Sequence, residues 1–278
     1  MKLFADDTFL CHQDKDPKAL EANVNAELDK IYSWLASNKL TLNINKSKFM
    51  IFSKKKNLPT LNLSLDGTAL QSCDTYKYLG VYIDNKLDWK AHIDHVVKKI
   101  SKSCGALAKI GHCVDTKTLV NVYYALINSY IRYGIIAWGS ASKAAIKPLQ
   151  AVVNKAIRII TFAPFGNIDL KPAYKQLNLL TVEQIYKLEI AKFTYKFKND
   201  LLPTSIGNFF ELSSELPNHT HFVRNRVRPV RLLNNTKTGE KSVQFKSLQL
   251  WKELHPDIKS SPSFNIFKKS YKDTFFFD

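Results

Sequence analysis

Two hydrophobic periods divide this chain. Up to about residue 85 the apolar positions mostly alternate, with one exception. Lys2-Leu3-Phe4 and Thr8-Phe9-Leu10 read as two short strands around a tight turn at Ala5-Asp6-Asp7. Asp16-Pro17 then marks a helix start, a capping side chain followed by proline in the first turn. Leu20, Val24, Leu28, Ile31 and Leu35 follow at steps of four and three, one apolar stripe on a helix running to about Asn38. Alternation returns at Leu40, Leu42 and Ile44, and Phe49 to Phe52 reads as a further strand. Lys54-Lys55-Lys56 is a charged exit into a loop. Leu61, Leu63 and Leu65 alternate up to Asp66-Gly67, a strong two-residue hairpin signal. Tyr76 to Ile83 is aromatic and β-branched, as strands are.

From Trp89 the period is helical. Trp89, Ile93, Val96, Ile100, Leu107 and Ile110 predict one helix, with Lys90, Lys98, Lys99, Lys102 and Lys109 on its other face. Leu119, Val122, Leu126 and Tyr130 predict a second helix. Ile146, Leu149, Val153, Ile157 and Ile160 predict a third, with Lys143, Lys147, Lys155 and Arg158 facing out. Thr181-Val182-Glu183-Gln184 is a capping box opening a fourth that ends near Lys198. Beyond Pro203 come a short helix at Leu248 to Leu254 around Trp251 and an amphipathic one at Phe264 to Phe277. The four tryptophans, Trp34, Trp89, Trp138 and Trp251, all lie in apolar stripes and are expected in the core. The fold class is α+β, with the first helix covering one sheet face.

Charge sharpens this picture. Forty-one Lys and Arg against 24 Asp and Glu give a formal charge of +17, which attracts polyanions such as nucleic acid or anionic membrane. Arg224, Arg226, Arg228 and Arg231 stand close together, the first three on one face if the segment is extended. Residues 218–246 hold four Arg and three Lys against one Glu. Arginine grips phosphate bidentately, so this group is a candidate nucleic-acid contact, as are Lys98, Lys99 and Lys102. Four scattered cysteines (Cys11, Cys73, Cys104, Cys113) fit neither a zinc site nor a disulfide scaffold, and no disulfide-linked partner is expected. The start lacks the apolar core of a secretion signal. Val122 to Trp138 is apolar but carries Asn128, Ser129 and Arg132, and reads as a buried helix rather than a membrane span. The expectation is an intracellular protein, nuclear or cytoplasmic, neither secreted nor transmembrane.

The candidate chemistry sits at Asp6-Asp7. Adjacent carboxylates at a turn offer several hard oxygen ligands at one point, as a divalent cation held against phosphate requires. A bare pair also serves as a solvated turn, so the pair's context decides between the two. Phe4-Ala5-Asp6-Asp7 is followed in order by Trp34-Leu35 and Asn38-Lys39-Leu40-Thr41-Leu42-Asn43, then Asn45-Lys46-Ser47-Lys48, then Lys77-Tyr78-Leu79-Gly80-Val81 and Leu87-Asp88-Trp89-Lys90. Later come Asn154-Lys155-Ala156-Ile157-Arg158, Leu250-Trp251 and Phe267-Lys268. This ordered set resembles the later part of the reverse transcriptase of non-LTR retrotransposons, of the LINE and jockey-like kind.

The resemblance implies a partial palm sheet (1–86), a helical thumb-like bundle (87–200) and a basic mixed C-terminal region (201–278). It implies two-metal nucleotidyl transfer with Mg²⁺ in the parent RNA-directed DNA polymerase. Asp6 and Asp7 match its metal-binding pair, and Lys46 matches a palm residue near the incoming triphosphate. Lys77, Tyr78, Leu79 and Gly80 match the hairpin that seats the primer terminus. Implied partners are RNA or an RNA–DNA hybrid, a DNA primer and dNTP, with no membrane. In that family a third Asp and the fingers lie upstream of the pair. The sequence-based expectation is therefore a fragment inactive as an isolated chain. A non-catalytic nucleic-acid-binding module and a decayed retroelement product stand as alternatives.

Overall fold

A computed structural model describes residues 2–5, 7–53, 59–164, 166, 168–203, 206 and 239–276. The chain divides into two compact units, Met1–Leu87 and Asp88–Asp278. The first combines short strands with one long helix and the second is helical, an α+β chain.

In the first unit β1 (Lys2–Phe4) pairs antiparallel with β2 (Asp7–Phe9), Phe4 opposite Asp7, with Ala5 in the turn. Ala5 has φ 50°, the left-handed conformation that tight hairpin turns of this hand require. Helix α1 (Pro17–Ser37) begins as its sequence predicts, the Asp16 carboxylate accepting from the Lys18 and Ala19 amides. Its inner face is only half buried, because it docks on an extended segment through polar groups as well as apolar ones. Asn25 donates to the Asn62 carbonyl (3.1 Å) and accepts from the Ser64 amide (3.0 Å), standing in for a neighbouring strand. Glu21 accepts from the Asn62 amide (2.7 Å). Leu61, Leu63 and Leu65 are buried, matching their alternation. Next come β3 (Lys48–Phe49), β4 (Ser64–Leu65), β5 (Thr68–Ala69), β6 (Gln71–Ser72), β7 (Thr75–Tyr78) and β8 (Val81–Asp84). β3 pairs parallel with β6, while β4–β5 and β7–β8 are antiparallel hairpins. Asp66-Gly67 turns the first of these (φ 50° and 70°) and Leu79-Gly80 the second (φ 45° and 80°).

Three expectations here need correction. Of the strand expected at Phe49 to Phe52 only Phe49 is in one, since β3 ends there. Leu40 to Ile44 is not a strand. α1 ends in a Schellman motif, with Lys39 at φ 57°, its amide on the Ala36 carbonyl and the Leu40 amide on the Leu35 carbonyl. Leu40 thus belongs to the helix end. Asn43 then caps a 3₁₀ turn (Ile44–Lys46) by accepting from the Lys46 amide, a local bond that competes with ladder formation. Trp34, expected in the core, is 53% exposed, because the buried stripe passes to one side of it.

The second unit is built on α2 (Lys90–Ile110), which buries His92, Ile93, Val96, Ile100, Cys104 and Leu107. It packs against α6 (Lys143–Thr161), which buries Leu149, Val153, Ala156, Ile157 and Ile160. Between them the chain forms α3 (Thr116–Tyr123), a π-turn (Tyr124–Asn128), α4 (Ser129–Arg132) and α5 (Ile135–Trp138). The predicted face Val122, Leu126 and Tyr130 is wrong by one position. Leu119, Tyr123, Ile127, Ile131 and Ile135 are buried, while Leu126 and Tyr130 are 41% and 40% exposed. A strict period of four drifts off the face of a 3.6-residue helix, and the wider π-turn takes up the extra residue. Helices α7 (Lys171–Gln176) and α8 (Val182–Lys198) follow, α8 with both capping-box bonds at Thr181 and Gln184. Arg158 is half buried rather than outward-facing, and donates to the Gly166 carbonyl (2.9 Å).

The C-terminal helices α9 (Val243–Glu253), α10 (Pro256–Lys259) and α11 (Phe264–Thr274) share this core. α9 starts five residues before the predicted Leu248 because Ser242 caps it, accepting from the Phe245 amide. Phe267 stacks on Tyr195 of α8 (4.4 Å between centroids), and the Tyr195 hydroxyl donates to the Ser261 carbonyl (2.9 Å). Among the described residues no helix is long and apolar enough to cross a membrane.

Candidate nucleic-acid interface

The first unit gathers three of the sequence motifs around one strand. Asp7 and Phe9 lie two apart on β2 and therefore share a face. The Phe9 ring sits 5.4 Å from the Tyr78 ring, so that face of the acidic hairpin meets the Lys77-Tyr78-Leu79-Gly80 hairpin. Tyr76 shares a β7 face with Tyr78, and its hydroxyl donates to the Lys46 carbonyl (3.3 Å). One face of β7 therefore touches both the acidic hairpin and the Lys46 turn.

Asp7 is exposed, closing the turn opposite Phe4. Asp6 lies outside the described residues. Lys46 is exposed at the end of its 3₁₀ turn. Lys77 is exposed, with its ammonium 5.9 Å from the ring of Tyr82, its cross-strand neighbour. Leu79 and Gly80 form the turn itself. Glycine suits the second position at φ 80°, while leucine at φ 45° is in a conformation that its Cβ disfavours. Asp7 is a hard oxygen donor of the kind a divalent cation takes, and its exposure leaves room for phosphate. Among the described residues no group of three or more His, Cys, Asp or Glu side chains converges.

In the second unit Lys98, Lys99 and Lys102 are exposed along α2, opposite its buried stripe. Arg224, Arg226, Arg228 and Arg231 lie outside the described residues. Phe9 and Tyr76, the two residues that tie the motifs together, were not singled out by sequence. Their signal is position, two and one residues away from named motif members on adjoining strands.

A half-buried polar network was also missed. Arg132 donates through Nε to Asn128 Oδ1 (2.6 Å) and through Nη1 to Glu189, which also pairs with Lys192 (2.7 Å). His92 is 2% exposed, edge-on to Trp138 at 5.3 Å, and burial, then His95, pushes its pKa down to about 4.

The described residues carry an acidic strand and a glycine-turned second hairpin in the first unit and exposed lysines along a helix in the second. In comparison with known proteins, the chain is similar to the reverse transcriptases of jockey-like non-LTR retrotransposons. It is 25% identical over 238 residues, 84% of the chain, to the probable RNA-directed DNA polymerase from transposon BS of Drosophila melanogaster. It is 24% identical over 166 residues, 58% of the chain, to the RNA-directed DNA polymerase from mobile element jockey of the same fly. It is 23% identical over 162 residues, 57% of the chain, to the probable RNA-directed DNA polymerase from transposon X-element. The matched stretches span 24%, 18% and 18% of those relatives, so the chain corresponds to about a fifth to a quarter of their length. No family model and no solved structure matches the chain.

Proposed function

We propose that this chain is the palm-to-thumb part of an RNA-directed DNA polymerase, carrying the metal-holding turn, the primer-seating hairpin and a basic nucleic-acid-binding bundle. In this reading residues 1–86 are the partial palm, 87–200 the thumb and 201–278 a basic C-terminal region. Asp6 and Asp7 would hold Mg²⁺. When bound, that ion supplies charge against the α-phosphate of a dNTP and the primer 3′-oxygen. Asp7 presents its carboxylate to solvent at the turn. Lys77 to Gly80 orient the primer terminus beside it, and Lys46 offsets charge on the triphosphate. Lys98, Lys99 and Lys102, with Arg224, Arg226, Arg228 and Arg231, hold the backbone of RNA or an RNA–DNA hybrid.

The observation that carries this reading is the β7 face, where the Phe9–Tyr78 ring contact and the Tyr76–Lys46 bond join three motifs separated by some seventy residues of sequence. The test is fluorescence anisotropy with a labelled RNA–DNA hybrid across a salt series. Each lost phosphate contact lowers the slope of log affinity against log salt by roughly 0.9 on a B-form duplex and about 0.7 on a single strand. Replacing Lys98, Lys99 and Lys102 by Gln should flatten the slope by about two units or more. An unchanged slope removes these lysines from the interface, and failure of the intact chain to bind at low salt overturns the reading. Binding without chemistry is the rival, favoured by the exposed lysines of α2, which need no metal to hold phosphate. It predicts hybrid affinity indifferent to Asp7→Asn with and without Mg²⁺.

A further inference from the structure

The π-turn and the C-terminal helix build a second cationic site. The Lys272 ammonium on α11 and the Tyr124 hydroxyl in the π-turn both donate to one carbonyl, that of Asn178, at 2.9 and 3.5 Å. Two turns of chain and a helix far apart in sequence are thus fixed at one point. Arg132 is held nearby by Asn128 and Glu189, and its charge is felt at both Tyr124 and Lys272. Lys268 stands one turn before Lys272 and is exposed. Burial first, then Arg132 and Lys268, lower the Lys272 pKa, while Asp273 opposes them. Lys268 and Lys272 lie one turn apart on α11, Arg132 lies two turns along from Tyr124, and the Glu189 carboxylate is already shared between Arg132 and Lys192. Like charges held together destabilise one another until an anion arrives. Tyr124 is 40% exposed beside them, a ring on which a base can stack. The π-turn that creates this layout is a rare form, frequent at functional sites.

We infer that Lys268, Lys272 and Arg132, with Tyr124, form a phosphodiester-binding site for a single nucleic-acid strand on the second unit. The inference rests on the nucleic-acid reading above and names a contact surface additional to Lys98, Lys99 and Lys102. Lys268 and Lys272 take adjacent backbone phosphates, Arg132 reinforces the field, and Tyr124 takes a base face without reading its identity.

The test uses the full 278-residue chain and a fluorescein-labelled uridine oligoribonucleotide. The Lys268→Gln, Lys272→Gln double variant should lower the salt slope by about 1.4, which is roughly a ten- to thirty-fold weaker complex near 0.1 M salt. Lys272→Arg should restore most of the slope, which a merely structural role for the amine would not require. Should the double variant fold poorly, acylation footprinting of the unmodified chain replaces it. The oligoribonucleotide should shield Lys268 and Lys272 from an amine-reactive ester, and inorganic tripolyphosphate of matched charge should shield them much less. Equal shielding by tripolyphosphate overturns the strand assignment in favour of a free polyphosphate. Loss of slope on changing Lys98 and Lys99, with none on changing Lys268 and Lys272 and no shielding there, overturns this site while leaving the earlier reading intact. No binding by the unmodified chain overturns both.

Discussion

His92 makes the stability of the helical unit fall in mild acid. It lies in the first turn of α2, 2% exposed, against Trp138 and within the field of His95. Burial disfavours the imidazolium, so the folded-state pKa falls from 6.5 to about 4. The unfolded chain therefore takes up a proton that the folded one refuses between those values. Stability from this group is intact above pH 6.5, falls as pH drops through the window, and stops falling below about 4. Linkage gives a loss of about 2 kcal/mol between pH 7 and pH 5, and about 3 kcal/mol at the limit. The assay compares urea unfolding of the intact chain with that of His92→Gln at pH 7, 6 and 5, followed by tryptophan fluorescence. The variant removes the titration, so the wild-type curve should lose about 2 kcal/mol more than the variant over this range. An NMR titration of the His92 ring gives the pKa itself. Parallel pH dependences in the two proteins, or a ring pKa near 6.5, would refute the reasoning.

Three further outcomes follow from local geometry. Gly139→Ala should destabilise the second unit by about 1–3 kcal/mol in thermal melts, since a Cβ there would come within 2.3 Å of the Tyr186 ring and 2.6 Å of the Ile135 carbonyl. Thr181→Ala should cost about 1 kcal/mol by removing the hydroxyl that accepts from the Gln184 amide at the start of α8, and Thr181→Ser should recover most of it. Lys39→Gly should stabilise the first unit by roughly 0.5 kcal/mol, because relief of the left-handed backbone outweighs the added entropy of the unfolded chain. A lowered midpoint for that variant would show the Schellman ending to be misassigned.

What sequence reveals here follows the strength of each local signal. Asp16-Pro17, Thr181 to Gln184 and Asp66-Gly67 act through bonds within four residues, and the structure forms all three where expected. The helices bearing long apolar stripes, α2, α6 and α8, were equally legible. Helix ends were not. Lys39, Phe162, Asn178 and Asp200 all occupy left-handed endings where a sequence reader looks for glycine. The face of α3 and α4 was misread because a 3.6-residue template was laid over a period of four, and the repeat Leu119, Tyr123, Ile127, Ile131, Ile135 was itself the sign of the π-turn. At the candidate site the acidic turn and the glycine hairpin were legible because turn chemistry is local. Their convergence was not, since Phe9 meets Tyr78 and Tyr76 meets Lys46 across 69 and 30 residues of chain.

The central claim is that one β7 face gathers the acidic turn, the Lys46 turn and the glycine hairpin into a cation and phosphate site. Paramagnetic broadening by Mn²⁺, read in the amide spectrum of the intact chain, tests it most directly. The account predicts that substoichiometric Mn²⁺ broadens Ala5 and Asp7 first, then Tyr78 and Lys46, and that Asp7→Asn abolishes the pattern. Broadening centred elsewhere, or broadening of Ala5 and Asp7 that never reaches Tyr78 and Lys46, would contradict it.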